Sequence, residues 1–262
     1  MHFTVEELGS LIGSFLWPLV RISSFVMVLP LFSMHGVPAR ARIALAGSLA
    51  LVIVPTLPAA PAMDPISAEG LVILVQQFLI GFTLAFILRL VFAAVINAGQ
   101  LTALGMGLGF ASMVDPTNGI QVPVIALFYN ILATLLFFAF NGHVVAIEVL
   151  AESFRVLPVG GHGIPVGRLM DIVLWGSWMF SGAIMLALPA VAAIVIVNLA
   201  FGVVTRAAPQ LNIFAVGFPI TITLGFVVMY VTLESFGTGF VQLTEQTLQL
   251  MRTVMLPTNT VP

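Results

Sequence analysis

Long apolar stretches without a charged residue dominate the chain. No Asp, Glu, Lys or Arg occurs in residues 43–63, 90–114, 116–147, 172–205 and 207–233. Each stretch reaches or exceeds the roughly 18 to 20 residues that an α-helix needs to cross a hydrocarbon core about 30 Å thick. The pattern therefore predicts an all-α, polytopic membrane-type protein built from helical hairpins.

Prolines, glycines and charges divide the chain into about six long apolar helical segments, because proline removes a backbone donor and glycine favours turns. The segments cover approximately residues 8–32, 43–54, 67–104, 122–140, 170–204 and 213–236. We predict a kink at Pro189 and an interruption at Pro219. After the fourth segment, Glu148, Glu152 and Arg155 indicate a short helix with one charged face. The tail, 237–262, has one amphipathic helical piece over 241–251.

The charges at the N-terminal end bear on topology. Glu6 and Glu7 have the wrong sign for the first region of a signal peptide, so we expect the first apolar segment to be retained. Arg40 and Arg42 directly precede the second segment, and positive charges of the first connection usually dominate orientation. This predicts that both termini lie on the outer side of the membrane.

Composition narrows the classes of function. Apolar residues make up 60% of the chain and charged residues 7%, against roughly a quarter charged in a soluble domain. All 8 basic residues are arginines and the formal net charge is -2, so no basic patch is present for nucleic acid. Because the chain has 0 cysteines, disulfides, thiolate catalysis and cysteine-ligated metals are excluded.

The sequence contains no motif for catalysis or metal binding. Its histidines, His2, His35, His143 and His162, are scattered and show no HExxH spacing. No GxSxG nucleophile elbow is present either. We expect His143 to cap or pack, and we expect neither enzyme activity nor a cofactor or metal.

The segment between the third and fourth apolar helices combines glycines with bulky apolar side chains. It contains Gly105, Met106, Gly107, Leu108, Gly109, Phe110, Met113, Asp115 and Pro116. Glycine leaves backbone torsions open, and non-helical backbone at membrane depth is tolerated only when it is buried in protein or lines a cavity. The pattern predicts an irregular loop that points into a lumen; an ordinary turn between two spans is the alternative.

Three charges, Arg21, Arg89 and Glu234, lie within apolar segments. A charge at membrane depth costs at least about 2.5 to 3.5 kcal/mol, so each is expected to face protein or water and to find a partner. They could form a substrate or proton path, or structural ion pairs between subunits. We favour the structural interpretation.

Four sequence elements together resemble one known family. They are V-P-A-R-A-R-I-A-L at 37–45, the glycine-rich element 105–116 followed by G-I-Q at 119–121, the N-G-H turn at 141–143, and R-A-A-P-Q-L-N-I-F at 206–214 followed by G-F-P at 217–219. In this order, and over essentially the whole chain, they resemble the flagellar biosynthetic protein FliR family. This family includes the equivalent export subunit of virulence type III secretion systems; we favour the flagellar branch.

The resemblance implies a subunit of the FliP–FliQ–FliR export gate, through which unfolded flagellar proteins leave the cytoplasm. It implies helical hairpins that assemble with FliP and FliQ into a helical, pore-enclosing complex, much of it raised out of the bilayer, with FlhB on its cytoplasmic side. The protein would be a multi-pass protein of the bacterial inner membrane, in contact with lipid, in the flagellar basal body. A FliP-like region would cover 1–168 and a FliQ-like hairpin with the tail 169–262.

The resemblance also implies roles for particular residues. The loop 105–119 would be the plug that closes the pore from within. The turn with Arg206, Pro209, Gln210 and Asn212 would be a cytoplasmic docking surface for FlhB, and a simple positive anchor with a turn is the alternative.

Two alternative functions remain open from the residues. The first is a small secondary transporter with broken helices at Pro189 and Pro219 and with Arg21 or Glu234 as the coupling charge. The second is a scaffold without contact to a pore.

Overall fold

The fold is all helical throughout the part of the chain that the structure describes. The computed structural model describes residues 5–32, 37–58, 67–108, 123–161, 163–207 and 217–256, with side chains except at 5–12 and 218. The helices are α1 (Val5–Val28), α2 (Ala39–Ile53), α3 (Ala68–Gly105), α4 (Val124–Ala139), α5 (Gly142–Val156), α6 (Val166–Ala207) and α7 (Phe218–Met255), with a 3-10 turn at Val54–Thr56. No strand occurs in these ranges, and the all-α prediction is confirmed.

Several helix boundaries follow the sequence pattern closely. The third segment is one uninterrupted helix of 38 residues, and the backbone N–H of Gly70 donates to Ser67 Oγ at 3.0 Å in its first turn. This side-chain bond satisfies one of the donors that a helix start leaves unpaired. The short helix predicted around Glu148 and Glu152 is α5, which begins directly after Asn141 at a positive φ of 59°.

The last helix corrects the sequence-based prediction. Instead of ending near Phe236, α7 continues through Gly237 and Gly239 to Met255. Phe236, Phe240 and Leu243 are buried along one face of this helix, and their packing offsets the roughly 1 kcal/mol that a helical glycine costs. Pro219 does not interrupt α7, because it stands in the first turn, where a backbone N–H has no helical partner.

Two other helices begin earlier than the pattern predicts. Helix α2 begins at Ala39 and includes Arg40 and Arg42, and α6 begins at Val166 and includes Arg168. These arginines lie at helix ends, where Arg42 donates to the carbonyl of Val37 and Arg168 pairs with Asp171, both at 3.2 Å. A charge at the end of an apolar run therefore marked the edge of the hydrophobic stretch and not the helix boundary.

The described residues fall into two compact units. Unit 1 takes the described residues of Met1–Leu90, Asn141–Gly176 and Glu245–Pro262. Its core is formed by α1, α5 and the first part of α3, and its largest fully buried apolar side chains include Trp17, Phe25, Ile80, Leu84 and Phe154. Helices α1 and α3 approach closely at Gly81, where an added Cβ would overlap the carbonyl oxygen of Arg21.

Unit 2 takes the described residues of Val91–Phe140 and Ser177–Thr244. Its core contains a cluster of aromatic rings from α3, α4 and α7, formed by Phe92, Tyr129, Phe137, Phe140, Phe236 and Phe240. Helices α3 and α4 touch at Gly99, where a Cβ would overlap the backbone of Ala126. Such close packing through small residues is typical of membrane helices.

Four described helices are long and apolar enough to cross a membrane, and five if the broken pair α4 and α5 counts as one span. They differ in how far the protein itself covers them. In the most apolar window of α3, 61% of the residues are buried, against 22% in α6 and 17% in α7. Helix α3 is therefore a core helix, whereas few residues in the most apolar windows of α6 and α7 are buried.

Candidate functional site

The glycine-rich segment begins with a well-defined helix stop at the end of α3. Gly107 has a φ of 81°, its N–H donates to the carbonyl of Leu104, and the N–H of Leu108 donates to the carbonyl of Ala103, both at 3.0 Å. This pair of bonds is the Schellman motif, which ends helices at a residue in the left-handed region. Only glycine adopts that region without a steric cost, so Gly107 fixes where the loop leaves the helix.

The residues directly before this stop are anchored on α6 and α7 within unit 2. Met106 is fully buried and packs against Gly225, where an added Cβ would lie 2.7 Å from the methionine side chain. The amide Nδ2 of Asn198 donates to the carbonyl oxygen of Gly105 at 3.1 Å. This carbonyl is among the last of a helix and lacks a helical donor. The base of the loop is therefore held by one apolar and one polar contact.

The remaining predicted plug residues, Gly109, Phe110, Met113, Asp115 and Pro116, lie outside the described residues. Leu108, the last described position before them, is half-buried. The role of the segment as a plug stays a prediction, and what the structure contributes is the anchored start of the loop.

Arg21 is fully buried in unit 1 and is held by four hydrogen bonds. Its Nε donates to Gln77 Oε1 at 2.8 Å and its Nη2 to the carbonyl of Leu157 at 2.8 Å. Its Nη1 donates to the carbonyl and the Oγ of Ser153, at 2.9 and 3.1 Å. The guanidinium carbon lies 4.1 Å from the ring centroid of Phe154, a cation–π contact.

The partners of Arg21 explain why a cation is tolerated there. The carbonyls of Ser153 and Leu157 belong to the C-terminal end of α5, which carries partial negative charge and unpaired acceptors. Arg21 forms no ion pair with a described acidic residue. The helix end and the aromatic ring therefore take the place of a counter-ion, and Arg21 joins α1, α3 and α5.

Arg89 and Glu234, the other two charges within apolar segments, are both exposed. Neither forms an ion pair with another described residue. Arg21 and Arg89 belong to unit 1, and Glu234 belongs to unit 2. Their functional roles stay predictions.

The predicted docking turn is described only at its first residue. Arg206 is exposed in the last turn of α6, where a cation complements the negative end of the helix. Pro209, Gln210 and Asn212 lie outside the described residues. The docking role is thus still a prediction.

Sequence reasoning missed the partners of these residues. Gln77, Ser153 and Asn198 were not singled out, although each is a polar residue within an apolar helix face. Isolated amides and hydroxyls in such helices commonly bond to backbone carbonyls, so their isolation was the available signal. In the described ranges no group of three or more His, Cys, Asp or Glu could hold a metal ion.

Taken together, the long apolar helices and the small-residue contacts between them define a polytopic helical membrane protein. The polar side chains that hold these helices together donate to backbone carbonyls at the ends of the chain's own helices. The sequence profile of the family described as "Bacterial export proteins, family 1" matches residues 12–247. The chain therefore belongs to this family of bacterial export proteins.

Relatives in several bacteria carry the same name and cover most of the chain. Proteins named "Flagellar biosynthetic protein FliR" are 39% identical over 229 residues in Escherichia coli (strain K12) and 40% identical over 230 residues in Pectobacterium carotovorum subsp. carotovorum. Each alignment covers 87% of both chains. A FliR of Bacillus subtilis (strain 168) is 31% identical over 233 residues, or 88% of this chain and 90% of the relative. The resemblance seen in the sequence is confirmed.

Proposed function

We propose that the protein is a core subunit of the flagellar type III export gate. In this proposal it forms part of the pore for unfolded flagellar proteins together with FliP and FliQ, and FlhB docks near Arg206. Membership of the bacterial export family and the FliR names of its relatives support a membrane component of the flagellar export apparatus. The inner-membrane location, the outer position of both termini and the division into a FliP-like 1–168 and a FliQ-like 169–262 are parts of the same proposal.

The observation that carries the proposal is the length of exposed apolar helix. Helix α6 has 42 residues, which at about 1.5 Å per residue gives a contour of roughly 63 Å. A hydrocarbon core of about 30 Å covers only about 39 Å of a helix even at a tilt of 40°. Exposed apolar side chains extend from Val166, 82% exposed, to Val204, 46% exposed. Lipid cannot cover this whole surface, which supports protein partners that cover the rest.

In the proposed gate the loop 105–119 is a hydrophobic plug that swings on an anchored base. Met106 packs on Gly225, and Asn198 donates to the carbonyl of Gly105; these two contacts hold the base of the loop. Gly107 sets the direction in which the loop leaves α3. Bulky apolar side chains at a constriction exclude water and ions, which would keep the resting pore sealed.

The test changes the helix stop and measures both closure and transport. In Gly107→Val a β-branched residue meets a positive φ, at a cost of roughly 1–2 kcal/mol, so the base of the loop shifts. We expect ion leakage to rise and secretion of flagellar subunits to fall. Gly47→Ala is the matched control, because nothing lies within 4 Å of an added Cβ there. Unchanged leakage and unchanged secretion in Gly107→Val would remove the plug assignment.

A second measurement asks whether the loop meets the cargo. The chain has 0 cysteines, so a Phe110→Cys variant offers the chain's single thiol. Cross-linking from this position to a stalled export substrate supports a loop that lines the pore. Cross-links that reach only lipid would contradict it.

The transporter hypothesis gains no support from the geometry. Arg21, one of its two candidate coupling charges, is fully buried and bonded to backbone carbonyls, and Pro219 stands in the first turn of α7. Solute uptake by the isolated protein in vesicles would revive the transporter hypothesis. Purification as a stable complex with FliP and FliQ favours the gate.

A further inference from the structure

One carboxylate lies in the middle of α7, in a part of unit 2 that carries few charges. Residues 207–233 and 235–244 carry no charge, and in the described part of unit 2 Glu234 and Arg206 are the only charged residues. Glu234 follows the first residue of α7 by 16 positions, about 24 Å along the helix, whereas Arg206 stands at the far end of α6. Glu234 is exposed and forms no ion pair with any described residue.

Glu234 borders an open notch of about 400 Å³ between α6 and α7. The notch is lined by Met185, Pro189, Glu234, Ser235, Thr238, Gly239 and Gln242. Gly239 lets the two helices approach closely, since an added Cβ would lie 3.0 Å from Leu186. The notch is a recess on the outer surface of one helical hairpin.

Beside the hydroxyl of Ser235 and the amide of Gln242, the notch contains two strong hydrogen-bond acceptors. Pro189 has no N–H, so the carbonyl of Met185 lacks its donor four residues on. The hydroxyl of Thr238 already donates to the backbone carbonyl of Glu234 at 3.1 Å. The Glu234 carboxylate and the Met185 carbonyl therefore offer negative charge and lone pairs to a donor that comes from outside the hairpin.

The surroundings of the notch are apolar. Leu188 on α6 is 58% exposed, and Tyr230 and Val231 on α7 are 80% and 71% exposed. An unpaired charge amid such a surface is costly wherever lipid or protein covers it. The chemistry that fits is a cationic side chain with several N–H donors, carried on an apolar helix.

We propose that this notch is the docking site for a helix of a neighbouring subunit that carries an arginine or lysine, which pairs with Glu234. Arginine fits best, because its planar fork of five donors can bond the carboxylate with two N–H groups and has further N–H groups for a carbonyl such as that of Met185. The proposal rests on the proposed function, since it requires a multi-subunit export assembly. It adds to that function a specific contact that sets the register of one partner helix.

The first experiment identifies what occupies the notch. Thr238→Cys, labelled with a photoreactive maleimide in the purified, fully assembled export complex, is cross-linked and the attached peptide is sequenced. We expect a peptide of a partner subunit with an Arg or Lys within one helical turn of the cross-link. Leu199→Cys, at a 66% exposed position on α6 outside the notch, is the control and should reach a different peptide. Lipid adducts alone, or a peptide without a basic residue, would overturn the proposal.

The second experiment tests the charge itself. Glu234→Gln keeps the shape of the side chain but removes its charge, so we expect the yield of assembled complex to fall about tenfold or more, as for other pairs broken in an interface. Glu234→Asp should recover part of it. Glu245→Gln, an exposed acid 11 positions further along α7, should assemble normally. In a charge swap, Glu234→Arg should assemble only when the partner's basic residue is changed to Glu.

The outcomes separate this proposal from the gate proposal. If Glu234→Gln assembles and secretes like the unchanged protein, the docking proposal fails. The gate proposal would still stand on the leakage and secretion of Gly107→Val. If no heteromeric complex forms with the unchanged chain, the proposed function fails first.

Discussion

The guanidinium of Arg21 makes the strongest test of how unit 1 is held together. In Arg21→Met the apolar stem is kept, but Gln77 Oε1 and the carbonyl of Leu157 lose their donor. The carbonyl of Ser153 keeps the N–H of Leu157 at 2.9 Å, so it is not left unpaired. A buried acceptor without a donor costs about 1–3 kcal/mol. Two such acceptors give an expected destabilisation of about 2–6 kcal/mol.

The measurement is the thermal unfolding midpoint of the purified full-length protein in detergent, followed by tryptophan fluorescence. At about 2–4 °C per kcal/mol for a chain of this size, Arg21→Met should lower the midpoint by at least about 4 °C. Arg21→Lys should fall between, because an ammonium keeps the charge but lacks the planar fork that bonds four acceptors at once. Arg155→Gln, an exposed arginine of α5, should shift it by no more than about 2 °C. A midpoint of Arg21→Met equal to that of Arg155→Gln would refute the reasoning.

Two further predictions use the same assay. Gly81→Ala should lower the midpoint, because the new methyl group overlaps the Arg21 carbonyl and overpacking costs about 1–3 kcal/mol. Gly47→Ala should leave the midpoint unchanged or raise it slightly. Equal shifts for the two variants would show that the α1–α3 contact can adjust to the extra methyl group. Arg252→Gln removes exposed ion pairs to Glu152 at 3.3 Å and Glu148 at 3.9 Å, so we expect a loss of at most about 1 kcal/mol. A loss as large as that of Arg21→Met would contradict this ranking.

The hydrophobic pattern was sufficient for the helices but not for all of their ends. The start of α3 after Ser67 and its great length followed from a capping residue and a long apolar run in which Arg89 is the only charge after Glu69. The end of α7 did not, since Gly237 and Gly239 are usual helix-ending residues. What keeps them helical is burial of Phe236 and Phe240 against other helices, which local sequence does not encode.

For the candidate sites, the sequence indicated which residues were unusual but not what they bind. Arg21 was recognised as a costly charge, yet its acceptors lie 56, 132 and 136 positions away along the chain. Gly107 was recognised within the glycine-rich loop, but its role as the end of α3 depends on the φ of one residue. Side-chain partners at such separations depend on packing, which a single sequence does not display.

By itself, the sequence determined the class of protein, the approximate number of apolar helices and the family, because hydrophobic runs and ordered motifs are local properties of the chain. Only the tertiary structure decided that α3 is a core helix while few residues in the most apolar windows of α6 and α7 are buried. It also decided that Arg21 bonds the end of α5, whereas Glu234 is exposed and pairs with no described cation. The physical reason is that burial and pairing are relations between distant segments. They depend on which helix faces meet, and the similar composition of the apolar helices does not show which faces those are.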